Sequence, residues 1–209
     1  RATNSEWAET LGIPASAAIT CVKPSGTVSQ LVDSASGIHP RHSEYYIRRI
    51  RMDNKDPICA YLLSQGLAHE PDYYNPNGAV VFSFPSKSPE GAVTRTGLSA
   101  LDHLKLWLTY QRHWCEHKPS ATISVKESEW AEVGAWVYEH FDEVSGLAFL
   151  PYSDHSYVQA PYEEITKEQY EELVVKTPRT LDWADFIEDD DNTTGGQTLA
   201  CTANGCEVQ

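Results

Sequence analysis

The sequence predicts an α/β protein, a layered sheet or a barrel, on three observations. Short apolar runs that stop at Pro or Gly alternate with segments whose apolar residues recur at helical spacing. Helix-start signatures, Asp-Pro or Ser/Thr with an acid or amide three residues on, stand between them. No internal repeat breaks the alternation.

The elements follow in order. The opening "RATNSEWAETLG" reads as the interior of a helix-bearing segment, and residue 1 is Arg, so a longer polypeptide is expected. Ala17 to Val22 is an apolar run stopped by Lys23-Pro24, which predicts a buried strand. Gly26 permits a turn and Thr27 to Val32 a short helix. Tyr45 to Met52, "YYIRRIRM", alternates as a strand with one charged face bearing Arg48, Arg49 and Arg51. Asp56 caps a helix with Pro57 at its first position, and Gly66 closes it. Ala79 to Pro85 is strand-like.

Ser99 and Asp102 open the clearest helix, with Leu101, Leu104, Leu108 and Cys115 on its inward face. "SATISV" is a strand. "ESEWAEVGAWVYEHF" is a helix with Trp130, Val133, Val137 and Phe141 inward. Gly146 to Pro151 is a strand, and Thr166 with Gln169 caps a helix running through Leu173. Residues 1–186 form one folded part. Residues 187–209 form an acidic, Gly-containing linker and tail, too polar to offset the entropy of ordering.

Composition narrows the function. With 209 residues, 41% of them apolar, the chain can bury a sizeable core. The formal charge of −14 argues against nucleic acid as a partner, because phosphate backbones demand clustered Lys and Arg. No apolar run approaches the roughly 20 residues that span a bilayer, and no signal-peptide core is present. A cytoplasmic protein with no membrane partner is expected. Of five cysteines, Cys21, Cys59 and Cys115 sit in regular segments and read as small buried hydrophobes.

Two features carry chemistry. In "CVKPSGTVSQ", a strand, a Gly turn and a helix start leave backbone N–H groups unpaired, with hydroxyls from Ser25, Thr27 and Ser29 beside them. That combination suits an oxyanion; an ordinary strand-to-helix turn is the other reading. The stretch is not a Walker A loop, since its Lys precedes the turn. In "CTANGC", Cys201 and Cys206 are too far apart for a CxxC motif, and no His or further Cys completes a zinc site. A dithiol on a flexible arm suits thiol–disulfide exchange; an incidental pair is the alternative. His113 and His117 have metal-ligand spacing, but no acidic motif accompanies them and they read as a helix end. No metal is expected.

"KPSGTVSQL", "SGIHPRHSEYYIRRIRM", "QRHWCEHKPSATISVKESEW", "SGLAFLPYSDHSYVQAPYEEIT" and the terminal cysteines together resemble the adenosylcobalamin-dependent (class II) ribonucleotide reductases, the monomeric ribonucleoside-triphosphate type in particular. The likeness spans nearly the whole chain. It implies the second half of a ten-stranded α/β barrel with a mobile C-terminal tail. It further implies conversion of ribonucleoside triphosphates to 2′-deoxyribonucleotides by a thiyl-radical mechanism that adenosylcobalamin initiates. Ser25, Gly26, Thr27, Val28 and Ser29 would hold the substrate's phosphates. Cys201 and Cys206 would re-reduce the disulfide left by each turnover and be recharged by thioredoxin. Tyr152, Asp154 and His155, at a strand end, would face substrate or cofactor, or else shape a loop. His39-Pro40 would shape the loop beside the phosphate turn.

One departure matters. The family's radical cysteine, in an Asn-x-Cys-x-Glu arrangement, has no counterpart here, so the chain alone is expected to be inactive and to need the N-terminal part of the same enzyme. The alternative function is a non-catalytic nucleotide- or phosphate-binding module with a redox-sensing tail.

Overall fold

A computed structural model of the chain describes residues 1–26, 28–152 and 158–188. In chain order the elements are α1 (Ala2–Leu11), α2 (Val28–Leu31), β1 (Tyr45–Asp53), α3 (Pro57–Ser64), β2 (His69–Pro71), β3 (Ala79–Lys87), α4 (Ala100–His113), β4 (Ala121–Val125), α5 (Trp130–Glu139), β5 (Leu147–Pro151), β6 (Tyr162–Glu164) and α6 (Lys167–Lys176). They belong to two compact units, one built from residues 1–41 and 91–152, the other from residues 42–90 and 158–188. Among the described residues no closed barrel forms, and no helix is long and apolar enough to cross a membrane.

The first unit is built on a parallel pair. β4 and β5 run side by side, Ala121 opposite Leu147 and Val125 opposite Pro151, with α5 in the crossover between them. Ala121, Ile123 and Val125 alternate inward along β4 and meet Leu104, Trp107 and Leu108 of α4 and Val133 of α5. Trp107 is fully buried, and its indole N–H donates to Pro119 O at 2.9 Å, so burial leaves no donor unpaired.

Ser99 caps α4 as expected, accepting from Asp102 N at 3.1 Å while its hydroxyl donates to Asp102 Oδ2 at 2.7 Å. The inward face differs from expectation. Ala100, His103, Leu104, Trp107 and Leu108 are buried, Leu101 is half-buried, and Cys115 lies beyond the helix end. The apolar count passed over His103, whose polarity is satisfied internally. On α5, Val133 is buried, but Trp130 is 37% and Phe141 72% exposed; Phe141 falls after the helix has ended.

Ala17 to Val22 does not form the expected strand. Its neighbour is the irregular segment after α4: Thr20 O accepts from Glu116 N at 2.9 Å and His117 N at 3.4 Å. Ile19 N donates to the Glu116 carboxylate at 2.7 Å. A side chain that takes a ladder donor interrupts the regular exchange a strand requires.

The second unit is an antiparallel sheet in the order β2-β3-β1-β6. Phe82 of β3 packs with Cys59, Tyr61 and Leu62 of α3 and with Leu67 in a separate core. Asp56 caps α3, accepting from Ile58 N at 2.9 Å, and Gly66 follows the helix at φ 74. Thr166 and Gln169 form the reciprocal box that starts α6, with bonds of 3.2 and 2.8 Å.

The arginines of β1 divide between its faces. Arg49 pairs with Glu163 at 2.6 Å and Arg51 with Asp72 at 3.1 Å, whereas Arg48 lies 4.5 Å over the Tyr162 ring. Period two sends adjacent Arg48 and Arg49 to opposite sides, so the single charged face does not form.

Candidate functional site

The Ser25–Ser29 turn closes on itself first. Ser29 N donates to Ser25 Oγ at 3.0 Å, and Ser29 Oγ donates back to Ser25 O at 2.7 Å. Ser29 is buried by this clasp. Ser25 N donates to Ser36 Oγ at 2.8 Å. Both serines thus spend their amides on the turn's own shape. Between them, Gly26 N and Val28 N have no partner among the described residues, and a Cβ at Gly26 would meet nothing within 4 Å. Thr27 lies outside the described residues. Since α2 has only four residues, the turn offers individual N–H donors and not a helix dipole.

The loop after α2 holds the turn from behind. Arg41 is buried, and its guanidinium donates to Asp33 Oδ1 at 2.9 Å and to Ser34 O at 2.8 Å. Gly37, at φ 59, lies so near Lys23 that a Cβ would come within 2.9 Å of Lys23 O. His39 ties the loop to β4: Thr122 N donates to its Nε2 at 2.9 Å, which leaves Nδ1 to carry the proton and donate to Ser36 O at 2.7 Å. The expectation that His39 shapes this loop takes concrete form here. Lys23 points elsewhere, its ammonium donating to Lys118 O at 2.9 Å and Ser120 Oγ at 3.0 Å.

Sequence reading passed over Ser36, Gly37 and Arg41, which brace the turn. Their signal is the run of small residues in "SASG", where two segments approach too closely for bulk.

Asp154, His155, Cys201 and Cys206 lie outside the described residues. Tyr152 directly follows β5, and its N–H donates to Val125 O at 2.7 Å. Arg95 lies 4.7 Å and Lys126 5.7 Å from the centre of its ring. A tyrosine with two cations already on its ring does not by itself fit a large organic cofactor. Cys21, Cys59 and Cys115 are free thiols, Cys59 alone fully buried. Burial first, then the Asp56 and Asp53 charges, push the Cys59 thiol up and keep it unreactive.

No family model matches the chain. It is 35% identical over 174 residues to the adenosylcobalamin-dependent ribonucleoside-triphosphate reductase of Euglena gracilis, a match covering 82% of this chain and 24% of that protein. The reductase of the same description from Lactobacillus delbrueckii subsp. bulgaricus is 34% identical over 171 residues, covering 79% of this chain and 23% of its own length. Among solved structures, a B12-dependent (class II) ribonucleotide reductase superposes with a TM-score of 0.73 at 29% identity, over 86% of this chain and 26% of that one. The chain spans about a quarter of the length of the relatives it matches.

Proposed function

The chain is a relative of the adenosylcobalamin-dependent (class II) ribonucleotide reductases, corresponding to about a quarter of their length, and on that premise we propose that its turn binds the substrate's phosphates. The complete enzyme reduces ribonucleoside triphosphates to 2′-deoxyribonucleotides. Adenosylcobalamin, bound by that complete enzyme, supplies radical initiation.

The observation that carries this reading is the pair of unspent amides, Gly26 N and Val28 N, in a turn whose Ser25 and Ser29 amides are committed and whose glycine faces open space. Two N–H donors and no side chain over Gly26 allow an oxyanion to reach the main chain. Ser25 and Ser29 contribute by fixing the curvature. Such binding positions the ribose without taking part in the chemistry, and positioning is a large share of catalysis.

Cys201 and Cys206 serve as a tethered dithiol: one thiolate attacks the disulfide formed at turnover, the second displaces it, and the pair leaves as a disulfide that thioredoxin reduces. The radical cysteine belongs to the remainder of the enzyme, so this chain alone does not turn over.

Titration of a ribonucleoside triphosphate into the complete enzyme tests the turn. Gly26→Asp sets a carboxylate where the phosphate lies and weakens binding about tenfold or more, the worth of a charged hydrogen bond. Equal affinity in both proteins sinks the assignment. For the tail, Cys201→Ser abolishes turnover with thioredoxin and spares turnover with a small dithiol; loss of both refutes the shuttle.

A further inference from the structure

Carboxylates outnumber cations in this chain, yet Arg48, Arg95 and Arg179 pair with none among the described residues, and of these three only Arg95 has a buried Nε without a partner. Arg1, Arg41, Arg49, Arg51 and Arg112 each pair with a carboxylate. Arg95 pairs with none among the described residues, although the chain carries 30 Asp and Glu against 16 Lys and Arg. Its Nε is buried and has no hydrogen-bond partner. Lys126, 5.7 Å from the same Tyr152 ring, is likewise without a carboxylate. Attraction to one ring does not satisfy a buried guanidinium N–H, which needs an acceptor.

Position gives the pair meaning. β4 ends at Val125 and β5 at Pro151, partners in register, and the next residues are Lys126 and Tyr152. The bond from Tyr152 N to Val125 O keeps the two strand ends together, while Arg95 N donates to Arg41 O at 2.8 Å and fixes the third residue. Ligands of parallel sheets gather at these carboxyl ends. Two cations and a buried, unmet donor converge there.

We propose that Arg95 and Lys126, organised around Tyr152, form a binding site for a phosphate-type oxyanion, separate from the Ser25–Ser29 turn. The guanidinium offers its unmet Nε–H and the ammonium a second charge, a combination matched to non-bridging phosphate oxygens. The site rests on this unit's own residues and stands whether or not the turn binds substrate.

The test is calorimetric titration of inorganic triphosphate into the complete polypeptide carrying Gly26→Asp, which closes the turn to anions. Saturable binding is expected, weakened about tenfold by Lys126→Gln and by Arg95→Gln, each of which removes one charged hydrogen bond. Lys126 is exposed, so its variant folds even if the Arg95 variant does not. Competition with a ribonucleoside triphosphate separates the sources: displacement assigns the site to a nucleotide's phosphates, and none assigns it to free polyphosphate. No binding on the Gly26→Asp background, as when a carboxylate elsewhere in the polypeptide fills the site, overturns the proposal. Equal affinity in the parent and Lys126→Gln overturns it too. Failure of the turn reading appears separately, as unchanged nucleotide affinity in Gly26→Asp alone.

Discussion

His103 is 3% exposed on a helix where the apolar pattern alone would place it at the margin. Its Nε2 donates to Ile38 O at 2.8 Å, so a neutral imidazole fits the core with its proton used. Burial first of all, with the His39 ring adding to it and the Ile38 carbonyl opposing, holds the His103 pKa below its ordinary value. The unfolded chain, titrating at about 6.5, therefore takes up a proton that the folded chain refuses. Stability from this group is complete above about pH 6.5 and falls as pH drops through it. Urea unfolding between about pH 5 and 8 should show that decline, and His103→Gln should flatten it. Equal slopes in both proteins would exclude His103 as the cause. Nothing in the sequence shows this histidine to be internal, because the carbonyl that satisfies it lies 65 residues away.

At the scale of elements, signals carried by neighbouring residues were legible and those carried by distant partners were not. Asp56, Ser99 and Thr166 act within three residues of themselves, and each caps the helix expected of it. β2 and β6 are three residues long and exist by pairing with β3 and β1, so no local pattern announces them. Ala17 to Val22 has a strand's composition and lacks a strand for a neighbour. The candidate turn was legible for the same reason as the caps, since Ser25, Gly26 and Ser29 lie within five positions. The loop that braces it was not, because its contacts run from Gly37 back to Lys23 and from His39 to Thr122. Those contacts make a comparative prediction. Gly12 and Gly37 both have φ near 60, but a Cβ at Gly12 meets nothing within 4 Å and one at Gly37 meets Lys23 O at 2.9 Å. Gly12→Ala costs about 1–2 kcal/mol for left-handed backbone alone. Gly37→Ala costs more, because backbone must move, and on the proposed role of the turn it also weakens nucleotide binding. Equal unfolding free energies for the two variants would show that the loop does not press on Lys23.

Across the whole molecule, two cores divide the work. Leu104, Trp107, Ile123 and Val133 fill one, and Cys59, Tyr61, Leu62 and Phe82 fill the other, with no residue shared. The chain crosses between the units three times, after Arg41, before Gly91 and between Tyr152 and Val158. A sheet of antiparallel strands and a parallel pair with its crossover helix are different solutions to burying an apolar face. Alternation of strand and helix along the sequence was enough for the α/β class, but it could not say that the middle of the chain leaves the parallel pattern for an antiparallel sheet. Damage to one core should accordingly stay within it. Phe82→Ala removes a fully buried ring and costs about 3–5 kcal/mol, a large part of a typical domain's stability. Hydrogen exchange of the complete polypeptide should then show amides of β1, β3 and α3 losing protection while α4, β4 and β5 keep theirs. Trp107→Ala should produce the reverse pattern. If either substitution strips protection from both sets, the units unfold as one, and the Ser25–Ser29 turn draws its stability from the antiparallel sheet as well as from the core of its own unit.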